Sequence, residues 1–323
     1  MRAVWSFWSK PYFAERRSSW GVELRHWLAW GLSLRLAMQH YPETQLVTDD
    51  GGARILIDDL QLPFKSVSMA LNSFAREDPG WWALGKLEAY RIQQDPFVHI
   101  DTDVFLWKPL RPSLANADVF AQNPEPIELG NSCYRPEDIE DALARAGRAW
   151  LPDEWLWYRE SARDYARAEC CGILGGNRID FIRYYATRAL QVVMHRGNRV
   201  ALRRFANKSG SMILIEQYLL SACVDYHAAC EASPYSGISI QYVFDSLGDA
   251  WNRDRATEEG FTHLAAGAKR DPSIGYDLEI RVEQDYPEHF ARCVDYVPGP
   301  LRSRSGRARH RKWNNERLYP ALI

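Results

Sequence analysis

Residues 97–106 read Phe97-Val98-His99-Ile100-Asp101-Thr102-Asp103-Val104-Phe105-Leu106 and carry the clearest structural signal in the chain. The first four, mostly apolar, predict a short buried strand, and two carboxylates follow at its carboxyl end. In open α/β sheets, ligands bind at the carboxyl ends of the strands. Because residues i and i+2 of a strand project to the same side, Asp101 and Asp103 are expected to hold one divalent cation together.

A divalent cation at this place suits the chemistry of a diphosphate. It is a hard ion that prefers oxygen ligands, so it bridges phosphate oxygens and stabilises a departing diphosphate. Two aspartates one residue apart also occur by chance, and a solvated acidic turn is the alternative interpretation. The apolar runs on both sides of the pair favour the metal site.

The rest of the chain alternates short apolar runs with helical periodicity, which predicts an α/β fold with a mostly parallel sheet flanked by helices. We predict strands over residues 3–7, 45–48, 64–69, 97–100, 118–122, 170–176 and 238–244. We predict helices over residues 24–38, 53–60, 83–94, 178–195 and 211–227. The run Asp49-Asp50-Gly51-Gly52 predicts a turn after the second strand.

The composition excludes several classes of protein. The hydrophobic fraction of 46% and the charged fraction of 25% are ordinary for a globular protein, and a formal net charge of -2 gives no general attraction to nucleic acid. The first residues lack the apolar region of a signal peptide, and no apolar run reaches the length of a membrane span. The six cysteines show no zinc-site spacing, so we expect reduced thiols and a cytoplasmic location.

Aromatic residues make up 13% of the chain. Most of them are expected to pack in the core, because aromatic side chains bury a large apolar area. Several concentrate in the amino-terminal part, where some are expected to form a wall of a carbohydrate site: Trp5, Trp8, Tyr12, Trp20, Trp27, Trp30, Trp81 and Trp82.

The segment from Phe97 to Leu110, FVHIDTDVFLWKPL, resembles the DxD region of GT-A fold glycosyltransferases, and the resemblance extends over most of the first half of the chain. It implies a GT-A type sheet with a helical insertion or lid. It also implies a nucleotide-sugar donor such as a UDP-sugar, with Mn²⁺ or Mg²⁺ on Asp101 and Asp103. Asp103 is then a catalytic residue as well as a ligand, since the cation stabilises the leaving diphosphate.

The same resemblance implies that the first strands and a nearby helix contact the donor. Residues 6–10 resemble an opening donor-binding strand and loop, and residues 40–49 resemble the second strand of such enzymes. A basic donor contact is often found on the helix before the DxD. The implied contacts are Lys10, Asp49, Lys86 and Thr102, although the side chain of Thr102 is expected to face away from the two aspartates.

A histidine near the end of the domain is the third metal ligand in many such enzymes. Residues 262–269, Thr-His-Leu-Ala-Ala-Gly-Ala-Lys, resemble the HxxGxxK element of glycogenin-like members. The resemblance implies that His263 binds the metal and that Lys269 meets a phosphate oxygen. The glycine departs from the pattern, because it stands at Gly267 and Ala266 takes its place. A surface position or a structural role is the alternative for His263, and His289 is the competing histidine.

Two further segments supply candidate contacts to the sugar. Gly175 and Gly176 end an apolar run that also includes Gly172, and they indicate either a close approach of the backbone to the donor or a tight strand-to-helix turn. Glu216 and Gln217 resemble an acidic-Gln pair that touches donor or acceptor in several glycosyltransferases. Glu216 is a candidate general base if the reaction inverts stereochemistry, and exposure on a helix surface is the alternative. The sequence leaves the stereochemistry open.

We predict one catalytic domain over residues 1–300. Its nucleotide and metal half spans residues 1–123, a polar insertion or lid spans 124–167, and an acceptor half spans 168–300. Residues 301–323 form a basic tail that is expected to be solvated. The expected partners are a nucleotide sugar and an acceptor that is a glycan, a peptide or a small molecule, without nucleic acid and without an integral membrane segment.

Three other functions remain as alternatives. A phosphatase of the haloacid dehalogenase class also places a DxD after an apolar strand, but near its amino terminus and with Thr or Val where this chain has Phe105. A nucleotidyltransferase of related fold needs a Gly-rich basic loop after the first strand. No such loop follows Val4 to Phe7 in this chain. A non-catalytic carbohydrate-binding or interaction protein is the third, and an intact metal trio argues against it.

Overall fold

The computed structural model describes residues 1–15, 19–129, 135–145, 147, 150–161 and 165–297. The predicted basic tail at 301–323 lies outside these residues. The described strands are β1 Arg2–Phe7, β2 Thr44–Thr48, β3 Ser66–Ser68, β4 Phe97–Ile100, β5 Val104–Leu106, β6 Val119–Ala121, β7 Pro124–Glu128, β8 Tyr165–Glu169, β9 Ile173–Gly176, β10 Ile240–Tyr242 and β11 Phe261–His263.

The longer described helices alternate with these strands, and several short ones fill the connections. They are α1 Ser9–Glu15, α2 Glu23–Ala37, α3 Asp50–Ala53, α4 Leu84–Arg91, α5 Pro112–Ala115, α6 Pro136–Arg145, α7 Asp153–Ser161, α8 Ile179–Met194, α9 Arg199–Arg203, α10 Lys208–Ile213, α11 Leu219–Ala229, α12 Leu247–Ala250, α13 Arg253–Glu259, α14 Pro272–Asp285 and α15 Pro287–Tyr296. Arg54–Asp59 and Leu214–Tyr218 form π-helical turns, and Ala70–Phe74 and Ala266–Arg270 form 3₁₀ turns.

Seven strands form the central sheet in the order β10-β6-β9-β4-β1-β2-β3. Six of them run in one direction, and β9 runs antiparallel between β6 and β4. The carboxyl ends of the six parallel strands therefore meet at one edge, together with the amino-terminal end of β9. The predicted α/β fold with a mostly parallel sheet is confirmed.

Both faces of the sheet are covered, and for this reason its central strands are apolar on both sides. In β1, Val4 packs into one core cluster, whereas Ala3 and Trp5 pack into the other. The first cluster contains residues of α4, α8 and α11, and the second contains residues of α2, α14 and α15. The sheet is thus a middle layer between two layers of helices.

Helix α2, which the sequence predicted over residues 24–38, is buried on nearly all sides. Nearly every position from Trp27 to Ala37 is buried, whereas a surface helix buries one face only. The helix packs against α14 and α15 as well as against β5, so it has little solvent face.

The predicted turn at residues 49–52 is different. Asp49 accepts a hydrogen bond from the backbone N–H of Gly52 (2.8 Å) and caps α3, so the acidic and glycine residues begin a helix.

Two small antiparallel ribbons join the main sheet to the rest of the chain. In one, β11 pairs with β5, and His263 lies opposite Val104. In the other, β7 pairs with β8, with Pro124 opposite Glu169 and Glu128 opposite Tyr165. The described part of residues 124–167 therefore contains the predicted helices, α6 and α7, and also a ribbon that the sequence did not predict. Among the described residues, no helix combines the length and apolarity needed to cross a bilayer.

Candidate metal centre

Asp101, Asp103 and His263 come together at the carboxyl edge of the sheet. One side-chain ligand atom from each residue lies within 4.8 Å of the other two. Asp101 and Asp103 follow β4 directly, whereas His263 ends β11, and these positions are far apart in sequence. The structure thus assembles the three residues that the sequence predicted as metal ligands.

The pairing of β5 with β11 brings the histidine to the aspartates. Because His263 is opposite Val104, it stands beside the residue that follows Asp103. The backbone N–H of Leu264 donates to the carbonyl of Asp103 (2.9 Å), which continues the ribbon by one residue. The backbone N–H of Asp101 donates to the carbonyl of Gly172 (2.9 Å). Both aspartates are therefore held through the backbone before any ligand binds.

Gln122, at the end of β6, orients the imidazole of His263. The Nδ1 of His263 lies 2.7 Å from Oε1 of Gln122, and an amide oxygen only accepts hydrogen bonds. Nδ1 therefore carries the proton, and the lone pair of Nε2 faces Asp103, whose Oδ1 lies 3.6 Å away. This arrangement is the one that a metal-binding histidine requires.

Gly172 leaves the space that this histidine occupies. A Cβ atom on Gly172 would lie 2.6 Å from the His263 ring and 2.5 Å from Oε1 of Gln122. Gly172 therefore makes room for the side chain of a candidate metal ligand, whereas the sequence predicted a close approach to the donor.

Lys86 pairs with Asp101 on the side of the site facing α4. Its Nζ lies 2.9 Å from Asp101, 2.9 Å from Glu216 and 3.0 Å from the carbonyl of Cys171. Burial alone lowers the pKa of Lys86, but the two carboxylates raise it above its ordinary value. Burial raises the pKa of Asp101 to about 6, and the positive charge of Lys86 opposes this shift.

Lys269 pairs with Asp103 on the opposite side of the site. The ammonium group contacts Oδ2 of Asp103, whose side chain is almost fully buried. Burial raises the pKa of Asp103, but the positive charge of Lys269 opposes this shift, and the net shift is downward. Asp103 is therefore held as a carboxylate, in the form that binds a cation.

The donor atoms of this cluster fit a hard or borderline divalent cation. Two carboxylates and one neutral imidazole match the preferences of Mg²⁺ and Mn²⁺. Ligand atoms about 2.1 Å from an octahedral cation lie about 3 to 4 Å from one another, so the separation within 4.8 Å needs only a small adjustment.

A cleft of about 540 Å³ opens beside the cluster. Asp101, Thr102, Asp103, Lys86 and Lys269 all line it. The aromatic residues that border it include four of those expected at a carbohydrate site, together with Phe7: Trp8, Tyr12, Trp30 and Trp82. The others are core residues or lie away from the cleft, and Trp5, Trp20 and Trp27 are almost fully buried.

His26 also lines this cleft, and the sequence analysis did not identify it. It lies at the end of the first turn of α2, where a histidine has no distinguishing local pattern. Only its position beside the cleft marks it as a candidate.

Two predicted donor contacts have other partners in the structure. The ammonium of Lys10 donates to the backbone carbonyls of Ala75 (2.9 Å) and Glu77 (2.6 Å). The carboxylate of Asp49 accepts from the backbone N–H and hydroxyl of Ser9 in addition to capping α3. Lys10 and Asp49 are not among the residues that line the cleft, so the structure does not support the prediction that they bind the donor.

Gly175 and Gly176 lie at the opposite end of the sheet from the metal centre. Because β9 runs antiparallel, its last residue pairs with Phe97 at the start of β4. A Cβ atom on Gly175 would lie 2.2 Å from the carbonyl of Phe97, so this glycine allows tight packing between strands. The strand direction places these two glycines away from Asp101, so the structure does not support the prediction that they bind the donor.

Glu216 is fully buried in the π-helical turn, which excludes the predicted alternative of an exposed helix surface. Its Oε1 accepts from the hydroxyl of Tyr90 (3.0 Å) and from Lys86, and it does not line the cleft. This geometry favours the positioning of Lys86 over proton transfer from an acceptor. Gln217 is half-buried beside it and also lies outside the cleft lining.

The competing histidine, His289, lies on α15 and donates a hydrogen bond to the carbonyl of Trp27 (3.1 Å).

Comparison with known sequences assigns the chain to a family. The chain belongs to DUF6734, a family of unknown function, whose sequence model matches residues 1–296. No curated protein matches the chain.

Solved structures that resemble the chain include two glycosyltransferases. One is the galactosyltransferase LgtC in complex with donor and acceptor sugar analogues, with 9% identity, a TM-score of 0.38, and coverage of 94% of this chain and 98% of that chain. The other is mouse xyloside xylosyltransferase 1 in its apo form, with 10% identity, a TM-score of 0.35, and coverage of 90% and 92%. At these values the similarity assigns neither activity nor substrate to this chain.

Proposed function

We propose that this chain is a metal-dependent glycosyltransferase that moves a sugar from a nucleotide-diphosphate donor, such as a UDP-sugar, to an acceptor. The observation that carries the proposal is the cluster of Asp101, Asp103 and His263 at the edge of the sheet where ligands bind. Its two carboxylates are flanked by lysines, and it opens into a cleft with aromatic walls. Mn²⁺ or Mg²⁺ would supply the charge that binds and stabilises the diphosphate.

The two lysines have separate roles in this proposal. Lys269 contacts Asp103 from the cleft, and a cation that takes over Asp103 leaves the Lys269 ammonium for a phosphate oxygen. Lys86 is held by two carboxylates and a backbone carbonyl, so it stays in place and fixes Asp101. Thr102 lines the cleft next to both aspartates and is retained as a donor contact.

The acceptor remains a glycan, a peptide or a small molecule in this proposal. A second cleft, of about 720 Å³, is lined by the β7–β8 ribbon and by α7. Trp157, Tyr158 and Tyr165 lie along it, together with Arg167 and Asp225. Aromatic rings next to polar groups suit a sugar, so this cleft favours a glycan.

The five described cysteines are free thiols, which supports the cytoplasmic location that we propose.

The experiment is a thermal-shift screen of nucleotide sugars with and without manganese, followed by measurement of donor hydrolysis. We expect one donor to stabilise the protein only with the metal, because a ligand stabilises the state that binds it. We also expect slow release of the nucleoside diphosphate, and loss of that release in Asp103→Ala. Asp95→Ala is the matched control, because Asp95 is exposed at the start of β4, away from the metal centre.

Neither binding nor turnover across a broad panel of donors and divalent ions would refute the proposal. Binding of the nucleotide sugar with no transfer or hydrolysis would favour a non-catalytic carbohydrate-binding protein. Formation of a nucleotide sugar from a nucleoside triphosphate and a sugar phosphate would instead identify a nucleotidyltransferase.

A further inference from the structure

His26 borders the same cleft as the metal cluster but has no hydrogen-bond partner among the described residues. Both of its ring nitrogens are buried, and neither is within hydrogen-bond distance of a protein donor or acceptor. A buried polar atom without a partner destabilises a folded protein, so such atoms are rare unless a ligand pairs with them. Other described side chains also have one such atom, but His26 has two and lines the cleft.

Aromatic neighbours hold the imidazole ring of His26 in one orientation. The ring of Tyr12 stacks on it with 5.4 Å between centroids and 15° between planes. Trp27 meets it edge-on at 4.6 Å, and Phe7 lies 6.4 Å away. These rings cover the imidazole without offering it a hydrogen bond. We therefore expect the ring nitrogens to form hydrogen bonds with a polar group of a ligand that enters the cleft.

Two charged groups that line the same cleft, Lys269 and Asp103, interact electrostatically with His26. The pKa of His26 is lowered to about 3, mainly by burial and also by the charge of Lys269, whereas Asp103 acts in the opposite direction. The imidazole is therefore neutral near pH 7, with one nitrogen that donates a hydrogen bond and one that accepts. A neutral donor beside Lys269 adds a directed contact to an anion without repelling the lysine.

We propose that His26 binds the donor diphosphate, with one ring nitrogen donating a hydrogen bond to a phosphate oxygen next to Lys269. The inference rests on the proposed function and names one more residue of that site. With His26, the amino-terminal half of α2 becomes part of the donor site, in addition to the DxD segment and the segment that carries His263 and Lys269.

The test is isothermal titration of UDP, GDP and inorganic pyrophosphate into the protein at saturating manganese. His26→Ala is expected to weaken the binding of the nucleotide that the wild type prefers and of pyrophosphate by about ten- to a hundredfold, which corresponds to one hydrogen bond to a charged group. His26→Gln retains a hydrogen-bond donor and is expected to keep most of the affinity. His195→Ala is the matched control, because His195 is exposed.

A second measurement separates a contact to the phosphate from a structural role. Manganese affinity without nucleotide, followed by electron paramagnetic resonance, is expected to be the same in wild type and His26→Ala. Equal nucleotide affinity in the two proteins would overturn the inference. Weaker UDP binding with unchanged pyrophosphate binding would also overturn it, because His26 would then contact the nucleoside.

Two further outcomes are decided by the same data. A parallel loss of manganese affinity in both His26→Ala and His26→Gln would overturn the inference in favour of a role in metal-site structure. A wild type that binds none of the three probes would refute the proposed function itself, whereas a wild type that binds them leaves only the role of His26 in question.

Discussion

The imidazole of His263 donates a hydrogen bond from Nδ1 to Oε1 of Gln122, over a distance of 2.7 Å. His263 ends β11 and Gln122 directly follows β6, so the contact joins the small ribbon to the main sheet. Because Gln122 fixes the protonated nitrogen, Nε2 is left with its lone pair toward Asp103.

Gln122→Ala is expected to weaken manganese binding by about 10- to 100-fold, the usual effect of removing the hydrogen-bond partner of a metal-binding histidine. The dissociation constant, measured by electron paramagnetic resonance titration, checks this. Gln241→Ala, an exposed glutamine on β10, serves as the control. An affinity that does not change would mean that His263 is not a ligand or does not need this orientation.

Gly172→Ala is expected to impair the metal centre at least as much as Gln122→Ala. The added Cβ would overlap the His263 ring and the Gln122 amide, which would have to move. Gly267→Ala adds the same methyl group at a position where, apart from the chain neighbours, no atom of the described residues lies within 4 Å, so it should bind manganese normally. If the two variants have equal manganese affinity, the packing around His263 is less tight than the structure shows.

Glu216→Gln is expected to lower the free energy of unfolding by about 3 kcal/mol or less, because it removes one of the two carboxylates that balance the buried Lys86. Urea denaturation measures this, with the exposed Glu283→Gln as the control. A general base would behave differently. In that case the variant would lose transfer activity by at least about 100-fold while its stability stayed unchanged.

His289 is expected to make the stability depend on pH. Burial lowers its pKa to about 4, from an ordinary value of 6.5. The unfolded chain then binds more protons than the folded chain between these values, so stability falls as the pH is lowered through this range. From pH 7 to pH 5 the loss from this residue is about 2 kcal/mol.

Urea denaturation of wild type and His289→Gln at both pH values checks this prediction. The variant should lose less stability than the wild type between pH 7 and pH 5, whatever its stability at pH 7. His195→Gln, at an exposed position, should show the wild-type dependence. Identical pH dependence in all three proteins would contradict the buried, neutral state of His289.

The parts of the fold that the sequence predicted depend on short-range patterns. The apolar residues of β1, β2 and β4 predicted buried strands because alternation and strand length are local properties. Asp101 and Asp103 were found for the same reason, since their meaning depends on the strand directly before them. His263 and Lys269 were found only through the resemblance of residues 262–269 to a known element.

The errors arise where distant segments decide the environment. Gly175 was predicted to approach a ligand, but the antiparallel direction of β9 places it against β4 at the far edge. Lys10 carries a charge suitable for a phosphate, but backbone carbonyls more than sixty residues away bind its ammonium. His26 was missed because nothing in its local sequence distinguishes it from a core residue.

The sequence alone determined the α/β class, the strand that carries the two aspartates and the residue types available to hold a cation. Only the tertiary structure decided which histidine joins them, which lysine faces each carboxylate and which residues line the cleft. The physical reason is that strand periodicity is set by neighbouring residues, whereas a binding site is set by strand pairing and direction. The contact between His263 and Gln122 joins residues 141 positions apart, and no local pattern specifies it.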